Sequence, residues 1–210
     1  MRFNFLPQRL PGSVASAIGR TVGRTGITPN MISLFGFAGN LLAAYLVTRE
    51  ALLAAGIVYL VFSALDFVDG AVARATGLVS KFGAVFDAVL DRASEAIVLA
   101  ACAWYFADRG EQVQAAVAYA GLFGSIAVSY MRAREEAHGL TMREGLFRRQ
   151  ERVILLGLGL VFNGLTAVIW VLAVLANITA LQRFALITRG LRAMDREDLA
   201  SESNGVANQR

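Results

Sequence analysis

The chain has 210 residues, of which 56% are hydrophobic and only 17% are charged. This balance excludes an ordinary soluble domain and predicts an integral membrane protein. Its 20 Lys and Arg and 16 Asp and Glu residues are still a large ionic content for so apolar a chain. Because some carboxylates fall inside apolar runs, the composition points to an ionic site within the membrane. The single cysteine and single histidine exclude a disulfide framework and a Cys- or His-based metal cluster.

Residues 1–27 predict an N-terminal amphipathic helix lying on the membrane surface. Apolar residues alternate with arginines from Phe3 to Val22, and Pro29 breaks the chain before the first span. Such a segment suits the anionic inner leaflet, with a flexible basic tail as the alternative. We recognise no signal peptide here, because a long apolar core and a small-residue cleavage site are lacking.

Six apolar helices are predicted to follow in chain order. Four of them span 31–48, 51–73, 82–106 and 113–130. The apolar run 153–187 is too long for one crossing and contains the turn signal Asn163-Gly164, so it predicts a hairpin of two helices. The expected fold is therefore all-α and integral to the membrane, with six transmembrane helices around a polar, cytoplasm-facing cavity. These helices form one membrane domain, 28–190, followed by a polar, disordered tail, 191–210.

The distribution of basic residues predicts the orientation. Seventeen of the 20 Lys and Arg lie in the N-terminal segment, the second and fourth connections and the C-terminal stretch. The opposite connections contain only Arg49 and Arg109. Because Lys and Arg are retained in the cytoplasm, both termini and the site are expected on the cytoplasmic side of the cell membrane.

Four aspartates lie near the cytoplasmic ends of the second and third spans. Asp66 and Asp69 are three residues apart and Asp87 and Asp91 four apart, so each pair occupies one helical face. Helices joined by a short connection are neighbours, and the four carboxylates are therefore expected to converge. Buried like charges need compensation, and oxygen ligands without His or Cys favour Mg²⁺ or Mn²⁺, one or two ions, over Zn²⁺. The alternative is a cation or proton pathway in a transporter.

Small residues accompany the aspartates. Gly70 follows Asp69 directly and Gly83 opens the third span, where a missing side chain lets a ligand approach the backbone. Arg74, one turn from Gly70, is suited to grip a phosphate. Helix packing is the alternative explanation for small residues in membrane helices.

The pattern resembles the signature of the CDP-alcohol phosphotransferases, integral membrane enzymes with six helices. Every signature position is filled, in the order Asp66-x2-Asp69-Gly70-x2-Ala73-Arg74-x8-Gly83-x3-Asp87-x3-Asp91. In this family a CDP-linked lipid binds with its pyrophosphate on two metal ions, an acceptor hydroxyl attacks the lipid-linked phosphorus, and CMP leaves. Thr28-Pro29-Asn30 resembles a further family element near the nucleotide.

The resemblance implies a role for each matching residue. The implied metal ligands are Asp66, Asp69, Asp87 and Asp91, of which Asp91 completes the cluster or acts as the catalytic base. The implied CDP-lipid site consists of Pro29, Asn30, Asp66, Asp69, Gly70, Ala73, Arg74 and Gly83. A homodimer surrounded by membrane lipids is also implied, and no nucleic-acid partner is expected.

The acceptor is inferred from basic residues outside this motif. Arginines converging on a polar cavity predict an acceptor that carries a phosphate. The stretches SYMRAREEAHGL, RRQER and ITALQR are similar to the pattern of the family's inositol-phosphate branch, with Arg132 where that branch often has lysine and Gln150 where it often has proline. The implied acceptor-phosphate ligands are Arg132, Arg152 and Arg183, with Arg134 and Arg149 as further candidates. For Arg132, Arg134, Arg148 and Arg149, cytoplasmic retention or lipid headgroup binding is the alternative.

The expected reaction transfers the phosphatidyl group from CDP-diacylglycerol to inositol 1-phosphate, giving phosphatidylinositol phosphate and CMP. Glycerol 3-phosphate is the alternative acceptor, because it also carries a phosphate, and its product would be phosphatidylglycerol phosphate. The residues leave open whether the donor tails are diacyl or archaeal ether chains, whether the metal is Mg²⁺ or Mn²⁺, and which surface forms the dimer.

Overall fold

The computed structural model describes residues 21–22, 26–140 and 147–207, with side chains to residue 196. The regular structure of this part of the chain is α-helical. It consists of α1 (Pro29–Thr48), α2 (Leu52–Ser63), α3 (Leu65–Thr76), α4 (Lys81–Asp108), α5 (Gln112–Ala137), α6 (Arg149–Val161) and α7 (Leu165–Ala207). The predicted interfacial helix in residues 1–27 lies almost wholly outside the described residues.

Four stretches of the described chain are long and apolar enough to cross a membrane: Pro29–Thr48, Leu52–Thr76, Gln112–Ala137 and Leu165–Arg196. They confirm a membrane protein. Of the other two predicted spans, α4 has 28 residues but carries four ionisable side chains between Asp87 and Glu95. Helix α6 has 13 residues, about 20 Å of helix. The count of six spans therefore stays a prediction.

Helix ends follow local sequence signals. The backbone N–H of Met31 donates to the Thr28 hydroxyl at 3.3 Å, and Pro29 occupies the first turn of α1. Ser80 caps α4 in the same way by accepting the N–H of Gly83 at 2.9 Å. The predicted hairpin turn lies between α6 and α7, where Asn163 adopts a φ of 53°. Asparagine tolerates this left-handed conformation better than most residues, which explains why the turn forms here.

Two helix boundaries differ from the predictions. The second span is divided at Ala64, where one helix ends at Ser63 and the next begins at Leu65. The last helix continues to Ala207, so the expectation of a disordered tail beginning at 191 is wrong for 191–207. Leu, Arg, Ala and Met follow Gly190 without a proline, and these residues favour helix.

The packing leaves an opening between α3 and α4. Helix α1 packs against both of them and against α2, whereas α3 and α4 do not pack closely on each other. The rest of the bundle is closed by α5 against α4 and α7, and by α6 against α2 and α7. The buried apolar core lies away from the opening and includes Val47, Ala55, Val98, Cys102 and Leu156.

Several glycines of the described chain permit close helix approach, and two of them show it clearly. A Cβ at Gly39 would lie 1.9 Å from Cγ of Phe62, and a Cβ at Gly124 would lie 2.9 Å from the backbone nitrogen of Asn177. Neither position has room for a side chain. These glycines therefore serve packing within one subunit.

Candidate active site

The four predicted aspartates meet in the opening between α3 and α4. Asp66 and Asp69 extend from α3, Asp87 and Asp91 extend from α4, and every pair among the four lies within electrostatic reach. Asp69 is buried and the others are half-buried. The predicted convergence of the four carboxylates is therefore confirmed. The two helices do not pack directly on each other, however, and α1 packs against both.

Ser33 of α1 connects the two halves of the aspartate cluster. Its hydroxyl donates to Asp69 Oδ2 at 2.7 Å and also lies 3.4 Å from Asp87 Oδ1. The other oxygen of Asp69 accepts the N–H of Gly70 at 2.5 Å. Ser33 was not among the predicted site residues. The sequence feature that could have indicated Ser33 is its position four residues after Pro29, on the helix that follows the Thr-Pro-Asn element.

Arg149 at the start of α6 also joins the cluster. Its Nη1 lies 2.7 Å from Asp66 Oδ2 and 2.8 Å from Asp91 Oδ2. Its Nε is buried without a hydrogen-bond partner. Arg149, a further candidate for the acceptor phosphate, contacts two predicted metal ligands.

A divalent metal fits the chemistry of these donors. Four carboxylates bring four formal negative charges, and within the described chain their salt bridges come from one guanidinium, that of Arg149. Carboxylate oxygens without His or Cys nearby are the ligands of Mg²⁺ and Mn²⁺. Among the described residues, no three Asp, Glu, His or Cys side chains lie close enough together to coordinate a metal ion as they stand. The donor types and their charge fit the metal, and the side chains would have to draw together to hold it.

The predicted CDP-lipid residues border the cluster. A Cβ at Gly83 would lie 3.2 Å from Oδ1 of Asn30, so the Thr-Pro-Asn element meets the start of α4. Arg74 is exposed and folds back along α3, with Nη1 3.3 Å from where a Cβ of Gly70 would be. Pro29 and Ala73 are half-buried on the same two helices, α1 and α3. An exposed arginine beside backbone without side chains leaves room for a phosphate.

Two predicted acceptor arginines form buried salt bridges. Arg152 donates from Nε and Nη2 to the two oxygens of Glu95, at 2.6 and 2.9 Å, and its Nη1 lies 3.3 Å from the Phe147 carbonyl oxygen. Arg183 donates from Nη1 to Glu135 at 3.1 Å, while its Nε is buried without a partner. Neither glutamate was among the predicted site residues.

The remaining predicted arginines lie at the surface. Arg132 is exposed and pairs with Glu136 at 2.9 Å, and Arg134 is exposed as well. Arg132, Arg148 and Arg152 nevertheless all lie within electrostatic reach of Arg183. A basic region thus surrounds Arg183, and its member Arg152 lies one turn along α6 from Arg149, which contacts the aspartates.

Comparison with known proteins identifies the family. The model of the CDP-alcohol phosphatidyltransferases matches residues 26–187. The chain belongs to this family. An archaetidylinositol phosphate synthase of Pyrococcus horikoshii is 40% identical over 167 residues, which cover 79% of this chain and 86% of that protein.

Solved structures of a family member agree with the fold. The phosphatidylinositol phosphate synthase of Mycobacterium tuberculosis with CDP-DAG bound has a TM-score of 0.77 and 31% identity, covering 83% of this chain and 94% of that one. The same enzyme in complex with manganese and citrate has a TM-score of 0.74 and 32% identity, covering 82% of this chain and 88% of that one.

Membership in the CDP-alcohol phosphatidyltransferases makes this chain a phospholipid-forming phosphotransferase. The transporter alternative for the buried carboxylates is therefore discarded. The aspartates on α3 and α4 are therefore parts of an enzyme site.

Proposed function

We propose that the chain transfers the phosphatidyl group from CDP-diacylglycerol to inositol 1-phosphate, releasing phosphatidylinositol phosphate and CMP. The observation that carries the proposal is the meeting of the aspartate cluster with the basic region around Arg183. A CDP-lipid pyrophosphate suits a metal-binding carboxylate cluster, and a phosphorylated acceptor suits buried guanidinium groups. The family relatives named above agree on the inositol phosphate product.

The four aspartates are assigned to metal binding, and one of them also to proton transfer. Asp66, Asp69, Asp87 and Asp91 would hold Mg²⁺ or Mn²⁺, most simply as two ions, which when bound offset charge on the pyrophosphate oxygens. Asp91 is the base that takes the proton of the acceptor hydroxyl, since its carboxylate contacts Arg149 of α6 and lies one turn before Glu95, the partner of Arg152. Ser33 orients Asp69 and Asp87.

The nucleotide end of the donor is assigned to the neighbouring small residues. Pro29, Asn30, Gly70, Ala73, Arg74 and Gly83 form its binding surface. The close approach of Asn30 to Gly83 supports this assignment, since a side chain at that glycine would meet Asn30. Arg74 would pair with a phosphate oxygen of the CDP group.

The acceptor phosphate is assigned to Arg183 and Arg152, with Arg132 at the entrance. Arg183 supports this because its buried Nε, like that of Arg149, has no hydrogen-bond partner among the described residues. A buried donor left unpaired costs free energy, which an incoming phosphate oxygen would recover. Free inositol carries no charge, and serine carries a carboxylate but no phosphate. Glycerol 3-phosphate carries that group and stays the competing acceptor.

The placement in the membrane follows from the charges. We propose six spans with both termini and the site on the cytoplasmic side of the cell membrane, an interfacial segment at 1–27, and a homodimer. The basic excess on the side of α3, α4 and α6 where the site opens supports this orientation. The domain boundaries 28–190 contain all residues assigned to the site.

A CMP-release assay on the purified chain tests the proposal. With CDP-diacylglycerol and Mn²⁺, inositol 1-phosphate should support turnover, whereas inositol and serine should not. Faster turnover with glycerol 3-phosphate would overturn the acceptor assignment. Because one relative is an archaetidylinositol phosphate synthase, CDP-archaeol is the second donor to assay, and a preference for it would change the lipid but not the acceptor.

A further inference from the structure

Two buried carboxylate–arginine pairs lie outside the aspartate cluster. Glu95 and Arg152 are 4% and 1% exposed, and Glu135 and Arg183 are 3% and 8% exposed. Burying charge is costly even when it is paired, and an apolar pair of similar volume often stabilises a protein as well or better. Two such pairs beside the same site call for a role beyond folding.

The Glu95–Arg152 salt bridge lies one helical turn beyond the Asp91–Arg149 salt bridge and resembles it. Glu95 follows Asp91 by four residues on α4, and Arg152 follows Arg149 by three on α6, so each pair of residues shares a helical face. Asp91–Arg149 and Glu95–Arg152 are therefore successive contacts between α4 and α6. The second lies about 5–6 Å further along these helices.

The hydrogen bonds of Glu95 fix the orientation of Arg152. Both carboxylate oxygens receive N–H bonds from one edge of the guanidinium, and the Ser125 hydroxyl of α5 also donates to Oε1. A guanidinium has five N–H donors. Glu95 takes two and the Phe147 carbonyl takes one, so one N–H on Nη1 and one on Nη2 are left for another acceptor. Two N–H groups in one plane match a phosphate.

We propose that Glu95 is a positioning residue for acceptor binding, which holds the Arg152 guanidinium so that its two remaining N–H groups meet the acceptor phosphate. This inference rests on the proposed function, in which the acceptor carries a phosphate. Glu95 touches neither substrate and acts through Arg152. Ser125 supports it by fixing the carboxylate from the α5 side.

Kinetics of E95Q test this role. Glutamine keeps the size but loses the charge and one acceptor, so Arg152 turns away from its fixed plane. In CMP-release assays on the full chain, the KM for inositol 1-phosphate should rise about tenfold or more, while the KM for CDP-diacylglycerol stays within about twofold. Equal changes in both constants, or a fall in kcat with both constants unchanged, would contradict the proposal. E50Q, which alters the exposed Glu50–Arg109 pair, is the matched control and should behave as wild type.

A double variant separates positioning from a general loss of structure. If Glu95 acts through Arg152, then R152Q and E95Q/R152Q should share the same acceptor KM, because the partner is already gone. Effects that multiply in the double variant overturn the inference. If E95Q does not fold, E95D takes its place. Its shorter side chain keeps the charge, and an unchanged acceptor KM in E95D would also overturn the inference.

Assays of the wild-type enzyme distinguish a failure of the proposed function from a failure of the role of Glu95. Turnover with glycerol 3-phosphate instead of inositol 1-phosphate refutes the proposed function, and the Glu95 variants are then measured with glycerol 3-phosphate under the same criteria. Turnover with unphosphorylated inositol or serine refutes both. Turnover with inositol 1-phosphate and an unshifted KM in E95Q refutes the role of Glu95 alone.

Discussion

Replacing Ser33 with alanine should weaken metal binding without changing the fold. The hydroxyl donates to Asp69 at 2.7 Å, and both residues are buried, so water cannot easily replace the lost bond. Asp69 would keep its bond from the Gly70 N–H on the other oxygen. Its Oδ2 would lose its hydrogen-bond donor, and Asp87 would lose the same neighbour at 3.4 Å.

The magnitude follows from one hydrogen bond to a charged group. Such a bond contributes about 1.5–3 kcal/mol. Loss of a group that orients a metal ligand typically costs about 10–100-fold in metal affinity or activity, which is the same range. We therefore expect the apparent Kd for Mn²⁺ of S33A to rise about 10–100-fold, with most activity recovered at high Mn²⁺.

Two readouts and one control make the experiment decisive. Mn²⁺ binding is followed by electron paramagnetic resonance on the purified protein without substrate, and CMP release is titrated with Mn²⁺ in parallel. S33T keeps the hydroxyl and should stay close to wild type. An S33A protein whose Mn²⁺ affinity equals that of wild type would refute the idea that Ser33 orients the metal ligands.

Three further predictions concern the base, the metal and the packing. D91N should abolish turnover while CDP-lipid binding, measured by equilibrium dialysis, is largely kept; a nearly fully active variant would remove Asp91 as the base. Excess chelator should stop CMP release and added Mn²⁺ or Mg²⁺ should restore it, whereas unchanged activity in chelator contradicts a metal-dependent site. G39A should lower the melting temperature, because its Cβ would overlap Phe62 and overpacking costs about 1–3 kcal/mol, while G164A, which meets no atom within 4 Å, should not.

The aspartate cluster could be predicted because its information is local. Spacings of three and four residues define helical faces whatever the rest of the chain does. The short connection from α3 to α4 then brings the two faces to one end of the molecule. Likewise, the turn at Asn163-Gly164 was visible as a break in one apolar run.

The partners of these groups could not be predicted because they come from distant parts of the chain. Ser33 and Asp69 are 36 residues apart, Glu95 and Arg152 are 57 apart, and Asp66 and Arg149 are 83 apart. Hydropathy places each residue on a helix but does not say which helices pack together. Glu95 looked like one more charge near the end of a motif, and only its contact with α6 gives it a role.

The sequence also does not reveal which groups the arginines contact. Their number near the site predicts an anionic acceptor. In the structure, however, these arginines differ in exposure and in the carboxylates that they contact. Arg132 is exposed, Arg152 is locked by Glu95, and Arg149 lies among the aspartates. Which arginine meets a phosphate depends on the carboxylate that each one already contacts.

The proposed reaction joins a CDP-linked lipid to inositol phosphate. The most direct measurement is mass spectrometry of the lipid formed when the purified chain receives CDP-diacylglycerol, Mn²⁺ and isotopically labelled inositol 1-phosphate. We expect a labelled phosphatidylinositol phosphate that appears in step with CMP. CMP release without label in the lipid would contradict it.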